Sequence, residues 1–244
     1  MLLLHSIAAH GHWWDGVAPR LTGRHVVALD LRGHGGSAWA EPPAYRFVDH
    51  VADALAMLDA LGWRAPLVIG HSLGGYVGAL LAALHPMRVG AVVIADMLTG
   101  WTEDMAARAQ RQAERPAQVF PSPAAAAAGF RLAPPETRAL TETLAHLAIS
   151  GVVERRPGQW EWAFDRRVFL HPPIDPWPFL PGVLCPALVV RGQGSSLMDR
   201  DQMLRVATAV RQGQFAEVKN AYHHLVVDDP AGFAAVVTAW APAR

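Results

Sequence analysis

The sequence predicts an α/β fold: a mostly parallel sheet flanked by helices, with a helical cap inserted into it. Three observations carry this. Short apolar, β-branched runs alternate with helix-spaced stretches along residues 1–96 and again along 182–244. Polar residues with chemical potential cluster just past the ends of those runs, at Ser6, Asp30, Ser72 and Asp96 and after Lys219. That is where a parallel sheet opens its ligand crevice. Between the two blocks, residues 97–181 change texture, with an alanine run (Ala124–Ala128), many prolines, and Trp101, Trp160, Trp162 and Trp177. Tryptophans have nothing to bury in a solvated linker, so this stretch reads as a folded cap.

The elements follow in order. Met1–Leu4 is a short buried strand, and its apolar start lacks the basic flank of a signal peptide. Trp13–Leu21 has helical spacing, with Trp14, Val17 and Leu21 on one face. His25–Leu29 is the second strand and runs into the glycine-rich loop Asp30–Ser37. Val48–Leu61 is an amphipathic helix closed by Gly62. Pro66–Ile69 is a strand, and residues 75–85 form the helix after it. Val89–Ala95 is a continuous apolar run, as expected of a parallel strand covered on both faces. In the cap, helices are expected at Glu103–Glu114, Pro123–Phe130 and Glu136–Ile149, with no strong strand. Ala187–Arg191 and Gln214–Lys219 are strands on either side of a helix at Asp201–Val210. A last helix runs from Pro230 to Trp240 with proline in its first turn.

Composition excludes several classes. The 244 residues are 52% hydrophobic and 17% charged, enough for a sizeable core and too apolar for disorder. Net charge is zero, so neither nucleic acid nor an anionic membrane surface is an expected partner. No apolar run approaches a membrane span. The one cysteine, Cys185, allows no internal disulfide, which fits a reducing, cytoplasmic setting. No Cys/His zinc spacing and no G-x-G-x-x-G after a strand are present, so neither metal nor organic cofactor is expected.

The centre of the chain is Gly70-His71-Ser72-Leu73-Gly74, between the apolar run Leu67–Ile69 and a helix. Strand, G-x-S-x-G and helix in that order make a nucleophile elbow. With Leu3-Leu4-His5-Ser6, Asp30-Leu31-Arg32-Gly33-His34-Gly35 and His223 seven residues before Pro230, this set resembles the α/β-hydrolase family over nearly the whole chain. The resemblance implies a serine nucleophile, a carboxylate and a late histidine, in that chain order. Two departures stand out. Ser6 occupies a position that is usually glycine in that family, and the chain lacks the usual antiparallel strands before the first parallel one. The strand at 25–29 would then lie at an open edge, so the start is expected to be truncated or the edge shielded.

Ser72 is the expected nucleophile. The spacing to Pro230 favours His223 as its base, with His224 lining the pocket and His71 packing beside the turn. For the acid, the loop after Ala187–Arg191 offers nothing before Asp199 and Asp201. Asp96, closing the run Ala91–Ala95, is preferred, because a buried carboxylate needs a partner. Asp199, read as a helix N-cap, and Asp201 stay open as alternatives. Asp228 and Asp229 read as caps of the last helix. The oxyanion hole implied by the family uses the N–H groups of Leu73 and Ile7. Ser6 borders it, His5 orders the loop, and Asp30 and Arg32 pin their loop to the elbow. Trp101, five residues after Asp96, is expected to face an apolar pocket.

These residues point to a serine hydrolase of small to medium apolar carboxylic esters, acting through an acyl-enzyme as monomer or homodimer. A lactonase, a carbon–carbon bond hydrolase or a perhydrolase would share the triad. Arg155, Arg156, Arg166 and Arg167 keep the carbon–carbon reading open. A low-turnover ligand-binding protein is the alternative of a different class.

Overall fold

The computed structural model describes residues 1–170 and 175–241. Residues 171–174, within the expected cap, and 242–244 lie outside the described residues. The chain opens with β1 (Leu2–Leu4) and β2 (Val27–Leu29). It continues through α1 (Phe47–Ala60), β3 (Leu67–His71), α2 (Leu73–Leu84) and β4 (Ala91–Ala95). The intervening segment holds α3 (Glu103–Glu114), β5 (Val119–Phe120), α4 (Pro123–Gly129), α5 (Thr141–Ser150), β6 (Val152–Arg156) and β7 (Gln159–Trp162). The chain then returns through β8 (Ala187–Gly192), α6 (Arg200–Ala209), β9 (Gly213–Val218), α7 (Leu225–Asp228) and α8 (Pro230–Trp240).

The main sheet is all parallel, in the order β2-β1-β3-β4-β8-β9. Because side chains alternate across a strand, each central strand feeds two cores. Leu2, Leu4, Val68, Val92 and Val189 pack under α1, α2 and α6. Leu3, Ile69, Val93 and Val190 pack under Trp13, Trp14 and Phe233 of α8. Leu2, Leu3 and Leu4 are fully buried, and each such leucine stabilises the fold by about 1.5–3 kcal/mol.

β2 does form one edge of the sheet, with no antiparallel strand outside it among the described residues. It is three residues long, and short edge strands offer little template for pairing. The expected helix at Trp13–Leu21 is instead two 3₁₀ turns, Gly11–Trp14 and Ala18–Arg20. Gly16 and Pro19 interrupt the helical run. The third helix of the intervening segment starts at Thr141 rather than Glu136, because the N–H of Arg138 and the hydroxyl of Thr137 turn away to bind Asp228.

That segment is not wholly helical. β5, β7 and β6 form a small antiparallel sheet that the sequence reading did not expect. The β6–β7 hairpin turns at Pro157-Gly158, where Gly158 takes φ +70°.

Candidate active site

β3 delivers Ser72 to a sharp turn, with φ 53° and ψ −113°, as the N-cap of α2. Two glycines make the turn possible. A Cβ on Gly70 would lie 2.0 Å from the carbonyl oxygen of Gly74, and one on Gly74 would lie 2.1 Å from that of Leu4. The Ser72 N–H donates to the carbonyl of Ala95 at 2.8 Å, and the Gly74 N–H donates to that of His5 at 3.1 Å. The turn is therefore tied to both neighbouring strand ends.

Beside Ala95 sits Asp96, fully buried. The His223 ring lies against it, with Nδ1 2.9 Å from Asp96 Oδ1. The same oxygen accepts from the Ser195 hydroxyl at 2.6 Å, and Oδ2 accepts from the Gly192 N–H at 2.9 Å. Three donors thus meet one carboxylate. Burial raises the Asp96 carboxyl to about 6, opposed by those Ser195 and Gly192 hydrogen bonds. Burial lowers the His223 imidazole to about 4. At neutral pH the pair is a carboxylate beside a neutral imidazole. Nδ1–H then donates to Asp96, and Nε2 carries the free lone pair.

The loop that carries His223 is fixed from two sides. His71 donates from Nε2 to the His223 carbonyl at 2.8 Å, with the two rings 4.9 Å apart. Asp228 accepts the Tyr222 N–H at 2.7 Å and the Arg138 N–H at 2.8 Å. Of the two expected caps on the last helix, Asp229 does cap it, accepting from Gly232 at 2.8 Å. Asp228 instead joins the His223 loop to the segment before α5.

Ser72 opens into a cavity of about 100 Å³ lined also by Ile7, Phe47, Leu73, Tyr76, Leu98, Trp101 and Phe169. Trp101 is there as expected; Phe47, Tyr76, Leu98 and Phe169 were not anticipated. They come from separate segments, and no sequence spacing links them. Ile7 and Leu73, the two expected oxyanion donors, both line this cavity. Ser6 and His224 do not line it. The Ser6 carbonyl accepts from Ala9 N–H and from His5 Nδ1. His224 donates to the Pro134 carbonyl at 2.9 Å and packs against Trp13.

His5 does order its loop, accepting the Leu31 N–H on Nε2 at 2.9 Å. Asp30 and Arg32 do not reach the elbow. Asp30 accepts from the N–H groups of Gly11 and Gly36, and Arg32 forks onto Asp53 of α1. Asp199 caps α6 by accepting the Gln202 N–H at 2.7 Å, and Asp201 lies exposed in the first turn of the same helix. Among the described residues, one group has metal-ligand character. His12, Asp15 and His146 lie exposed with their donor atoms within 4.8 Å of one another. None of the three lines the Ser72 cavity; they tie the first loop to α5 through Asp15. No helix of the described residues is long and apolar enough to cross a membrane.

Residues 1–230 match the family model of the alpha/beta hydrolase fold. The chain is similar to the lipase LipV of Mycobacterium tuberculosis, 38% identical over 96 residues, a match covering 39% of this chain and 36% of that protein. It is 28% identical to the esterase Rv0045c of the same organism over 251 aligned residues, covering 97% of this chain and 80% of that one. Among solved structures, E-2-(acetamidomethylene)succinate hydrolase superposes with a TM-score of 0.86 at 23% identity, over 98% of this chain and 90% of that chain.

Proposed function

This chain belongs to the α/β-hydrolase fold family, and from that premise we propose that it is a serine hydrolase cleaving small to medium apolar carboxylic esters through an acyl-enzyme. Residues 97–181 are its cap. The observation that carries the reading is the His223–Asp96 pair at 2.9 Å, at the end of the strand that pairs with the one leading to a serine at positive φ, itself open to an apolar cavity.

In this reading Ser72 Oγ attacks the ester carbonyl and passes its proton to His223 Nε2. The carbonyl oxygen takes the negative charge and lies between the N–H groups of Leu73 and Ile7. One such donor contributes about 2.7–4 kcal/mol to the transition state. The start of α2 adds the positive end of its dipole. Asp96 stays ionised, keeps the ring oriented through Nδ1–H and stabilises the imidazolium. Collapse breaks the C–O bond, and the leaving alkoxide takes the proton from His223. Water then attacks the acyl-serine, again with His223 as base, and the acid product leaves with Ser72 protonated.

The relatives named as a lipase and an esterase support hydrolysis of an ester bond. The small apolar cavity favours a short apolar group at the reacting end. A 4-nitrophenyl ester series tests the proposal. Ser72→Ala should lose about 10⁴-fold or more in kcat, and an organophosphonate should label the wild type at Ser72 alone. Unchanged turnover in Ser72→Ala removes the serine mechanism.

A further inference from the structure

A second cavity, of about 390 Å³, lies between the intervening segment and the first loop of the core. It adjoins the Ser72 cavity. Phe169 lines both, and Ala8 and Ala9 of the larger one directly follow Ile7 of the smaller. Its charge is one-sided. Arg115, Arg131 and Arg166 line it, and no Asp or Glu does. Of the acids nearest in sequence to Arg166, Asp165 accepts from Arg167 and from the Tyr45 hydroxyl; Glu161 lines a neighbouring groove that Arg115 and Arg166 also border, and among the described residues it forms no ion pair with either. Arg166 is half-buried and makes one hydrogen bond, at 3.4 Å, to the carbonyl of Gln112. Burial and the nearby charge of Arg115 hold its guanidinium below the ordinary arginine value. Two like charges gathered without an ion pair among the described residues are uncomfortable until an anion joins them.

We propose that this cavity is a carboxylate-binding subsite, and that the enzyme prefers substrates carrying an anionic carboxylate beyond the scissile bond. The proposal rests on Ser72 being the nucleophile. The small apolar cavity then takes one end of the substrate. The other end passes Phe169 and presents its carboxylate to Arg166, with Arg115 and Arg131 at the rim. Guanidinium forks match a carboxylate in a two-point contact. The preferred substrate is a half-ester of a short dicarboxylic acid, or an ester with an acidic tail of similar reach.

The test compares 4-nitrophenyl hemiglutarate with 4-nitrophenyl pentanoate, which differ in a terminal carboxylate against a methyl. The wild type should favour the anionic ester in kcat/KM by about tenfold at low salt. About 0.5 M NaCl should erode that preference. The ratio should fall about tenfold in Arg166→Gln, mostly through KM. Arg115→Gln serves as the second variant, since Arg115 makes no hydrogen bond to the described residues and its loss leaves the fold alone. Calorimetric titration of Ser72→Ala with glutarate reads binding without turnover. Glutarate should bind there and fail to bind Ser72→Ala/Arg166→Gln. If Ser72→Ala keeps full turnover, the nucleophile is wrong, while the titration still decides the cavity. Equal ratios in wild type and both arginine variants overturn the proposal. So does glutaramide binding as tightly as glutarate. Inorganic phosphate binding more tightly than glutarate overturns the carboxylate assignment in favour of a phosphorylated ligand.

Discussion

Acidification should unfold this protein well above the usual carboxylate range, and the reason is its buried histidines. His5, His34 and His50 are each no more than 1% exposed. His34 accepts the Ala8 N–H on Nε2 at 3.1 Å and uses Nδ1–H for the Arg32 carbonyl. His5 is wired the same way, to the Leu31 N–H and the Ser6 carbonyl. A proton on either Nε2 would set N–H against N–H. Burial lowers His34 and His224 to about 4 and His50 to about 3, against about 6.5 in the unfolded chain. The unfolded state therefore binds protons first. Stability is whole above pH 6.5 and falls as pH drops from there toward about 4. At pH 5.5 each of these three imidazoles removes about 1.4 kcal/mol, or about 4 kcal/mol together, a large part of the roughly 5–15 kcal/mol of a whole domain. Asp96 and His223 shift in opposite directions and partly offset each other. Urea unfolding at pH 7.5 and 5.5 is the assay, and the midpoint should fall by about 1–2 M. His50 is the cleanest probe, since its Nδ1 is buried without a hydrogen-bond partner. His50→Leu should recover about 1.4 kcal/mol of the loss at pH 5.5. Equal midpoints at the two pH values, or a His50→Leu variant as acid-sensitive as the wild type, would refute the reasoning.

Asp96→Asn should cut kcat about 10³–10⁴-fold with near-normal ester binding, because the amide no longer holds Nδ1–H or stabilises the imidazolium. Asp199→Ala should leave turnover intact and cost about 1 kcal/mol in urea unfolding, the loss of one helix cap; a loss of turnover matching that of Asp96→Asn would move the acid to residue 199. Asp228→Ala removes the acceptor shared by Tyr222 and Arg138; it should lower kcat several-fold and raise hydrogen exchange in both 220–224 and 136–140, and exchange confined to one segment counts against a shared tie. Wild-type kcat should fall below a pH near 6 as Asp96 takes a proton, and a flat profile down to pH 4.5 contradicts the buried carboxylate at this site.

What could be read from the sequence was local pattern. Gly70-His71-Ser72-Leu73-Gly74 after three apolar residues and before a helix needs no distant partner to be recognised. Asp96 was legible for a similar reason, since a charge closing Ala91–Ala95 must be served by something. Its partner His223 was expected and lies against it, but its other two donors were not legible: Ser195 and Gly192 lie about a hundred positions later, and nothing in their spacing marks them. The hairpin of β6 and β7 did leave a signal. Val152–Arg156 and Gln159–Trp162 flank a Pro-Gly turn, but Glu154, Arg155 and Arg156 break the apolar alternation that marks a strand. Ser6 and His224 were read as pocket residues from their neighbours in the chain. Neither lines the Ser72 cavity, since successive side chains along an extended stretch or tight loop point in different directions.

Backbone strain draws the same boundary around the site. Among the described residues, the non-glycine residues at positive φ are Ala8, Ser72 and Asp96, at 55°, 53° and 49°. Each follows a parallel strand: Ala8 after β1, Ser72 directly after β3, and Asp96 directly after β4. β3 and β4 pair His71 with Ala95, so Ser72 and Asp96 leave adjacent strands at the same height. Left-handed backbone costs an L-residue about 1–2 kcal/mol. Relaxed turns would be easier to fold, so the surroundings must hold these three in place. They do so with backbone and ring nitrogens. The Ser72 N–H binds Ala95, the Asp96 N–H binds Val190 at 2.7 Å, and the Ala8 N–H binds the His34 ring. For Ser72 and Asp96 the next strand in the sheet supplies the restraint; for Ala8 the loop after β2 does. Ser72 and Ile7 border one cavity, and the backbone hydrogen bonds that hold Ser72 and Asp96 depend on the sheet being intact. Local loosening of that sheet edge should therefore cost activity before it costs the fold.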